Sequence, residues 1–145
     1  IGSGLVGSEM CIRDRYRGWL DYSKDVSTLK DIDVFLQLLD DNNVSKAGWP
    51  NKLGDYLAFG KPVILSPYGD IIDFVKNEKG FFIVEYNKYS ILKILQEIKD
   101  IPYSDLKTMG YANRQLAEKI SWKNRAKNIE YICNKIRFNN ETVKN

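Results

Sequence analysis

The sequence predicts an α/β domain in which a parallel β-sheet is covered by helices on both faces. Three observations predict it. Short, near-continuous apolar runs recur at Val34 to Leu39, Pro62 to Ser66 and Phe81 to Val84, the pattern of strands buried on both sides. Stretches of helical periodicity separate them, and strand-helix-strand alternation implies parallel pairing through crossover connections. The chain of 145 residues is 43% hydrophobic, 12% aromatic and 28% charged, which suits one core closed by large apolar side chains.

Taken in order, Tyr16 to Leu20 reads as a strand and Asp21 to Lys30 as a short helix. Val34 to Leu39 is β-branched and apolar, of strand length. Lys52 to Phe59 is helical, with Leu53, Tyr56 and Leu57 on its core face; Gly60 ends it and Pro62 forces extended chain into the strand Pro62 to Ser66. Asp70 to Lys76 is helical, Phe81 to Val84 is a strand, and Ser90 to Lys99 is a helix presenting Ile91, Leu95 and Ile98. Two helices close the chain. The first covers Asp105 to Lys119; the second is capped by Ser121 and carries Trp122, Ala126, Ile129, Cys133 and Ile136 at steps of three and four. That stripe is expected to pack on the sheet, with Cys133 in the core.

The composition excludes several classes of function. No histidine is present, so imidazole catalysis and His-ligated metals are ruled out, and no metal site is expected. The two cysteines, Cys11 and Cys133, cannot build a disulfide framework. Apolar runs do not exceed four residues, against roughly 20 for a bilayer-spanning helix.

The opening segment stands apart. Gly2, Gly4 and Gly7 spell G-x-G-x-x-G with Asp21 downstream, but only Ile1 precedes them, where a dinucleotide site needs a strand to deliver the turn. The string GSGLVGSEMCIRDR resembles a translated sequencing adaptor. On that resemblance residues 1–15 are an artefact or disordered, the domain spans 16–138 and lacks its N-terminal part, and 139–145 is a frayed tail.

In open parallel sheets ligands bind beyond the carboxyl ends of the strands, which directs attention to the long loop from Asp40 to Asn51. It holds Gly48, Trp49 and Pro50, and Asn51 is a good N-cap for the helix that follows. Amides at a helix start favour a phosphate. Asn51, Lys52 and Asp55 share the face opposite the core. Lys52 and Asp55 could hold a diphosphate and a sugar hydroxyl, although the spacing alone favours a solvated i,i+3 ion pair worth a few tenths of a kcal/mol. Gly54, mid-helix, costs about 1 kcal/mol relative to Ala and calls for a reason such as close approach of a ligand or a neighbouring backbone.

The string PNKLGDYLAFGKPVILSPYGDIIDFV resembles the C-terminal half of retaining glycosyltransferases of the GT-B fold, the large group 1 family (family 4). Those proteins read P-x-K-L-x-E-Y-x-A-x-G-K-P-V, then G-x-x-x-E-x-V. Pro50, Lys52, Leu53, Tyr56, Ala58, Gly60, Lys61, Pro62 and Val63 match the first part; Gly69, Asp73 and Val75 match the second with a conservative acid. Gly18, the run DIDVFL from Asp31, Gly80 to Val84 and Ser121-Trp122 resemble further family positions in the same order. The resemblance implies a doubly wound parallel sheet, the Rossmann-like C-terminal domain of a GT-B enzyme, with extra C-terminal helices.

It also implies a function: binding the nucleotide diphosphate sugar donor of an enzyme that transfers the sugar to an acceptor hydroxyl, with no further cofactor. The donor-binding residues are then Gly48, Trp49, Asn51, Lys52, Leu53 and Asp55, with Asp55 in the ribose-binding role. Asp55 is one methylene shorter than the family's Glu, and Ala47 stands where many members place a Glu near the transferred sugar. The family's basic pair and acceptor domain lie upstream of Tyr16, so no catalytic residue is assigned and the fragment alone is expected to be inactive. The alternatives are a non-catalytic GT-B homologue acting as a binding module, and a sugar-nucleotide epimerase. A phosphoryl-accepting receiver domain needs more residues than separate Asp41 from Lys61.

Charge is unevenly distributed. The net charge is +3 overall, yet Ser104 to Asn145 carries 9 basic and 4 acidic residues while Tyr16 to Tyr103 carries 11 and 13. Lys119, Lys123, Lys127 and Arg137 lie off the apolar stripe. The resemblance implies the donor and an acceptor of lipid-linked or polysaccharide type as partners of a cytoplasmic protein, while the charge asymmetry fits either a solvated helical face or C-terminal helices that touch the anionic inner membrane leaflet peripherally. Nucleic acid is not expected, because no aromatic residues are interleaved with the basic face.

Overall fold

The computed structural model describes residues 18, 19, 21 and 24–142, with side chains to 137. Most of the predicted strand Tyr16 to Leu20 and the whole adaptor-like string lie outside the described residues. Two compact units divide the chain between Asp31 and Ile32. In the first, the Asp21 carbonyl accepts from the amides of Lys24 and Asp25, and this turn leads into α1 (Val26–Lys30). The helix is shorter than the predicted Asp21 to Lys30.

The second unit is α/β. Its sheet consists of β1 (Phe35–Gln37), β2 (Val63–Leu65) and β3 (Phe81–Ile83), all parallel, in the order β1-β2-β3. The connections hold α2 (Asn43–Ala47), α3 (Asn51–Ala58) and α4 (Ile71–Val75); α5 (Lys88–Asp100), α6 (Tyr103–Lys119) and α7 (Trp122–Thr142) follow. Predicted strands and helices occur where expected, with ends displaced by a few residues. The strand order runs in one direction only among the described strands, so it contains no reversal of winding.

Helices cover both faces. Phe35 pairs in register with Val63, and Leu36 with Ile64, so alternation puts Phe35 and Ile64 on opposite faces. On the Phe35 face the ring stacks on Tyr56 of α3, with centroids 4.2 Å apart. On the other face Ile64, Val84 and Ile98 form a cluster with Val34, Leu38, Phe82, Ile94, Ile101 and Leu106, which docks α5. The central strand β2 is buried along its whole length, as its unbroken apolar sequence predicts. Leu53 and Leu57 are fully buried, as expected for the core face of α3. On α5 the expected Leu95 is 41% exposed, and Ile94 takes the core position instead.

α6 locks the amino edge of the sheet. The Asn113 side chain, 1% exposed, donates from Nδ2 to the carbonyls of Lys61 and Gly80, each at 2.9 Å. These lie just ahead of β2 and β3, so one amide group ties both strand starts to one helix. Gly80 has no room for a side chain, since a Cβ there would stand 1.9 Å from Asn113 Oδ1. Gly60 ends α3 at φ +66°, and a Cβ on Gly110 would come within 2.1 Å of the Gly60 carbonyl oxygen. The helix and the turn therefore meet backbone to backbone. Arg114 Nη1 donates to the Ala58 carbonyl, placing a cation at the negative end of α3.

The last helix overturns one expectation. Ser121 caps it as predicted, its hydroxyl accepting from the Asn124 amide at 3.4 Å while its carbonyl accepts from the Arg125 amide at 2.9 Å. The apolar stripe, however, does not pack on the sheet: Trp122 is 84% exposed, Ile129 62% and Ile136 56%. Cys133 is a free, exposed thiol and not a core residue. The contacts with the sheet are made instead by α3, through Tyr56 on Phe35, by α5, through Ile94 and Ile98, and by α6, through Asn113. Periodicity identified the amphipathic face but not what it meets.

Candidate functional site

The chain leaves β1 at the carboxyl edge of the sheet, and Ser66 defines that edge. Its buried hydroxyl accepts the Leu39 amide at 2.7 Å, fastening the ends of β1 and β2. The segment from Asp40 to Asn51 is not one open loop, because it contains α2. Asn42 caps that helix, its Oδ1 accepting from the Ser45 amide at 2.8 Å. Ala47 is the last residue of α2, Gly48 follows in extended conformation, and both are exposed.

Trp49, still exposed, lies along the surface. Its ring meets Phe74 of α4 edge-on, with centroids 5.2 Å apart and planes at 74°, which fixes the chain just before α3. Pro50 occupies the N-cap position, and Asn51 is the first helical residue, not the cap. Pro50 cannot cap with a side-chain acceptor, so the first-turn amides of Asn51 and Lys52 carry the positive end of the helix. The Leu53 amide is already committed to the Pro50 carbonyl at 3.0 Å. Its side chain is fully buried as well, so Leu53 faces the core and does not line the groove along the exposed flank of α3.

A groove of about 510 Å³ runs along the exposed flank of α3 to the corner between α6 and α7. Trp49, Asn51, Gly54 and Asp55 line one side; Ser121, Trp122 and Arg125 line the other. Three residues singled out in the sequence, Trp49, Asn51 and Asp55, are thus brought together. Lys52 is exposed near them but outside the lining, and Gly48 contributes only chain direction. Gly54 sits in the groove, and a Cβ there would meet nothing within 4 Å. No neighbouring backbone requires this glycine; its missing side chain widens the groove.

The opposite wall could not be read from the sequence. Arg125 places its guanidinium carbon 5.9 Å from the centre of the Trp49 ring and 5.7 Å from that of Trp122. Trp122 and Arg125 lie three residues apart at a helix start, a spacing that puts them on one face. That spacing was the available signal, but the apolar stripe directed Trp122 to the core.

The lining combines a guanidinium, a carboxylate, a carboxamide and two indole faces. Guanidinium binds phosphate in bidentate fashion, a carboxylate and a carboxamide accept from hydroxyls, and an indole face stacks on a flat ring. This is equipment for binding, and the size lies within the usual range of small-molecule sites. A second polar cluster flanks the carboxyl edge, where Tyr68 Oη donates to Glu85 Oε2 at 2.8 Å. That hydrogen bond, with lesser help from desolvation and the charges of Glu85 and Asp41, raises the Tyr68 pKa above its ordinary 10.0. Comparison of the chain with protein-family models, curated proteins and solved structures finds no match in any of the three.

Proposed function

We propose that this chain is the donor-binding part of a glycosyltransferase, holding a nucleotide diphosphate sugar whose sugar passes to an acceptor hydroxyl. One observation carries the reading: Asp55 and Asn51 meet Arg125 and two tryptophans in a single groove beside the start of α3, on the segment that resembles group 1 glycosyltransferases. Asp55 accepts from ribose hydroxyls, Arg125 faces the diphosphate, and an indole supports the base. Lys52 adds a cation near the first-turn amides. Fixed charges of this kind stabilise a departing diphosphate as the glycosidic bond breaks. In this reading the parallel sheet is part of a doubly wound GT-B domain, and the basic pair and acceptor domain of the resemblance lie on other parts of the enzyme. The protein then works in the cytoplasm, where nucleotide sugars are held.

Calorimetric titration of the full chain with UDP, GDP, ADP and dTDP tests the proposal, comparing the wild type with Asp55→Ala, Arg125→Ala and Lys52→Ala. Weak binding of one diphosphate, reduced by Asp55→Ala and Arg125→Ala, is expected, without turnover of any donor. Equal binding in all four proteins, or none by the wild type, overturns the assignment. The exposed Ala47, in place of the family's Glu, favours one second reading, a non-catalytic homologue that binds the nucleotide as a signal. Transfer activity in the chain rejoined to an acceptor domain separates the two.

A further inference from the structure

Arg125 reaches the groove from α7, and its two aromatic contacts do different things. The contact with Trp122 runs along α7, between residues three apart, so it fixes the side chain relative to that helix alone. Trp49 supplies the contact that crosses the groove. The guanidinium carbon lies over its ring at 5.9 Å, and the ring belongs to the wall of Asn51 and Asp55. That ring is restrained in its turn. Phe74 of α4 meets it edge-on at 5.2 Å, and the following Pro50 confines the Trp49 backbone to extended conformations.

The geometry of a stacked guanidinium decides what it can bind. Its five N–H donors lie in the plane of the group, so contact through the face with an aromatic ring leaves the donor edge unused. An ion pair would consume that edge, and among the described residues Arg125 forms none. Asp55 lines the facing wall, where its carboxylate repels anions and accepts from hydroxyls. The groove is therefore polarised, drawing oxyanions to Arg125 and hydroxyls to Asp55. We propose that Trp49 is a positioning residue for the diphosphate: it holds Arg125 across the groove so that the guanidinium edge meets paired phosphate oxygens. The inference deepens the nucleotide reading and rests on it for the identity of the ligand.

The test is NMR titration of the isotope-labelled full chain with inorganic pyrophosphate at low salt, following the Arg125 Nε–H signal and the backbone amides that line the groove. Pyrophosphate is expected to shift the Arg125 signal. Trp49→Leu weakens the affinity about two- to fivefold, the worth of an exposed contact between a cation and a ring, and Trp49→Phe restores it. In the Arg125→Ala background, Trp49→Leu has no further effect on the residual affinity. A merely structural role for Trp49 gives the same loss with and without Arg125, and that result overturns the proposal. So does a Trp49→Leu affinity equal to that of the wild type, or an Arg125 signal that pyrophosphate leaves in place. Parallel titrations with UDP, GDP, ADP and dTDP test the reading beneath it. Coupling of Trp49 to Arg125 with pyrophosphate, but no nucleoside diphosphate bound more tightly than pyrophosphate, overturns the nucleotide assignment and leaves the positioning role standing.

Discussion

Gly54→Ala separates the stability of α3 from the use of its exposed flank. Gly54 is the fourth of eight residues in the helix, and a methyl group there meets no atom within 4 Å, so no clash offsets the gain. Replacing a helix-interior glycine by alanine stabilises by about 1 kcal/mol, partly through fewer accessible unfolded conformations. For a chain of this size the thermal midpoint rises by roughly 2–4 °C. The same methyl projects into the groove between Asp55 and Arg125 and narrows it, so nucleoside diphosphate affinity falls while stability rises. Urea titration followed by tryptophan fluorescence gives the first quantity at unchanged m-value, and calorimetry gives the second. A less stable variant would show that the space beside Gly54 is not open. A more stable variant with unaltered affinity would show that no ligand lies on this flank of α3.

Other substitutions test the frame that holds the groove. Gly80→Ala drives a methyl into the buried Asn113 amide and costs about 3–5 kcal/mol, combining overpacking with lost hydrogen bonds. Adding Asn113→Ala recovers at least about 1 kcal/mol of the sum of the single effects, and strict additivity in urea titrations would refute the coupling. Leu57→Ala empties a fully buried position at a cost of about 2–5 kcal/mol, measured by the same titration. Because hydrogen bonding to Glu85 raises the Tyr68 pKa, the native state favours the protonated phenol. That contribution is complete below pH 10 and disappears as pH rises through the raised value. Tyr68→Phe therefore shows a shallower loss of thermal midpoint between pH 9 and pH 11 than the wild type, and identical profiles would refute the assignment.

The parallel sheet was legible because its signal is local. The apolar run Val63 to Leu65, short and β-branched, fits a strand and is buried along its whole length, whereas β1 and β3 are only partly buried; Gly60 with Pro62 marks where α3 must stop. The core face of α3 was equally plain, since Leu53 and Leu57 recur at helical spacing. What the sequence concealed depends on contacts between distant segments. Asn113 reads as a polar residue on a helix, and nothing near it reveals that it spans to Lys61 and Gly80. Arg125 reads as one more surface cation until the corner after α6 carries it to Trp49. The misplaced stripe of α7 has the same origin: amphipathic spacing specifies that a face is apolar, while the identity of its partner depends on which surfaces other helices have already occupied.

The corner at Ser121 gives α7 a mechanical character. The helix meets the rest of the unit near its first turn, where Arg125 approaches Trp49, and its 21 residues extend about 31 Å at 1.5 Å per residue. A rod fixed at one end acts as a lever. A tilt of about 10° at the corner moves the far tip by about 5 Å over that length, so the direction of the first turn fixes where the exposed distal residues stand.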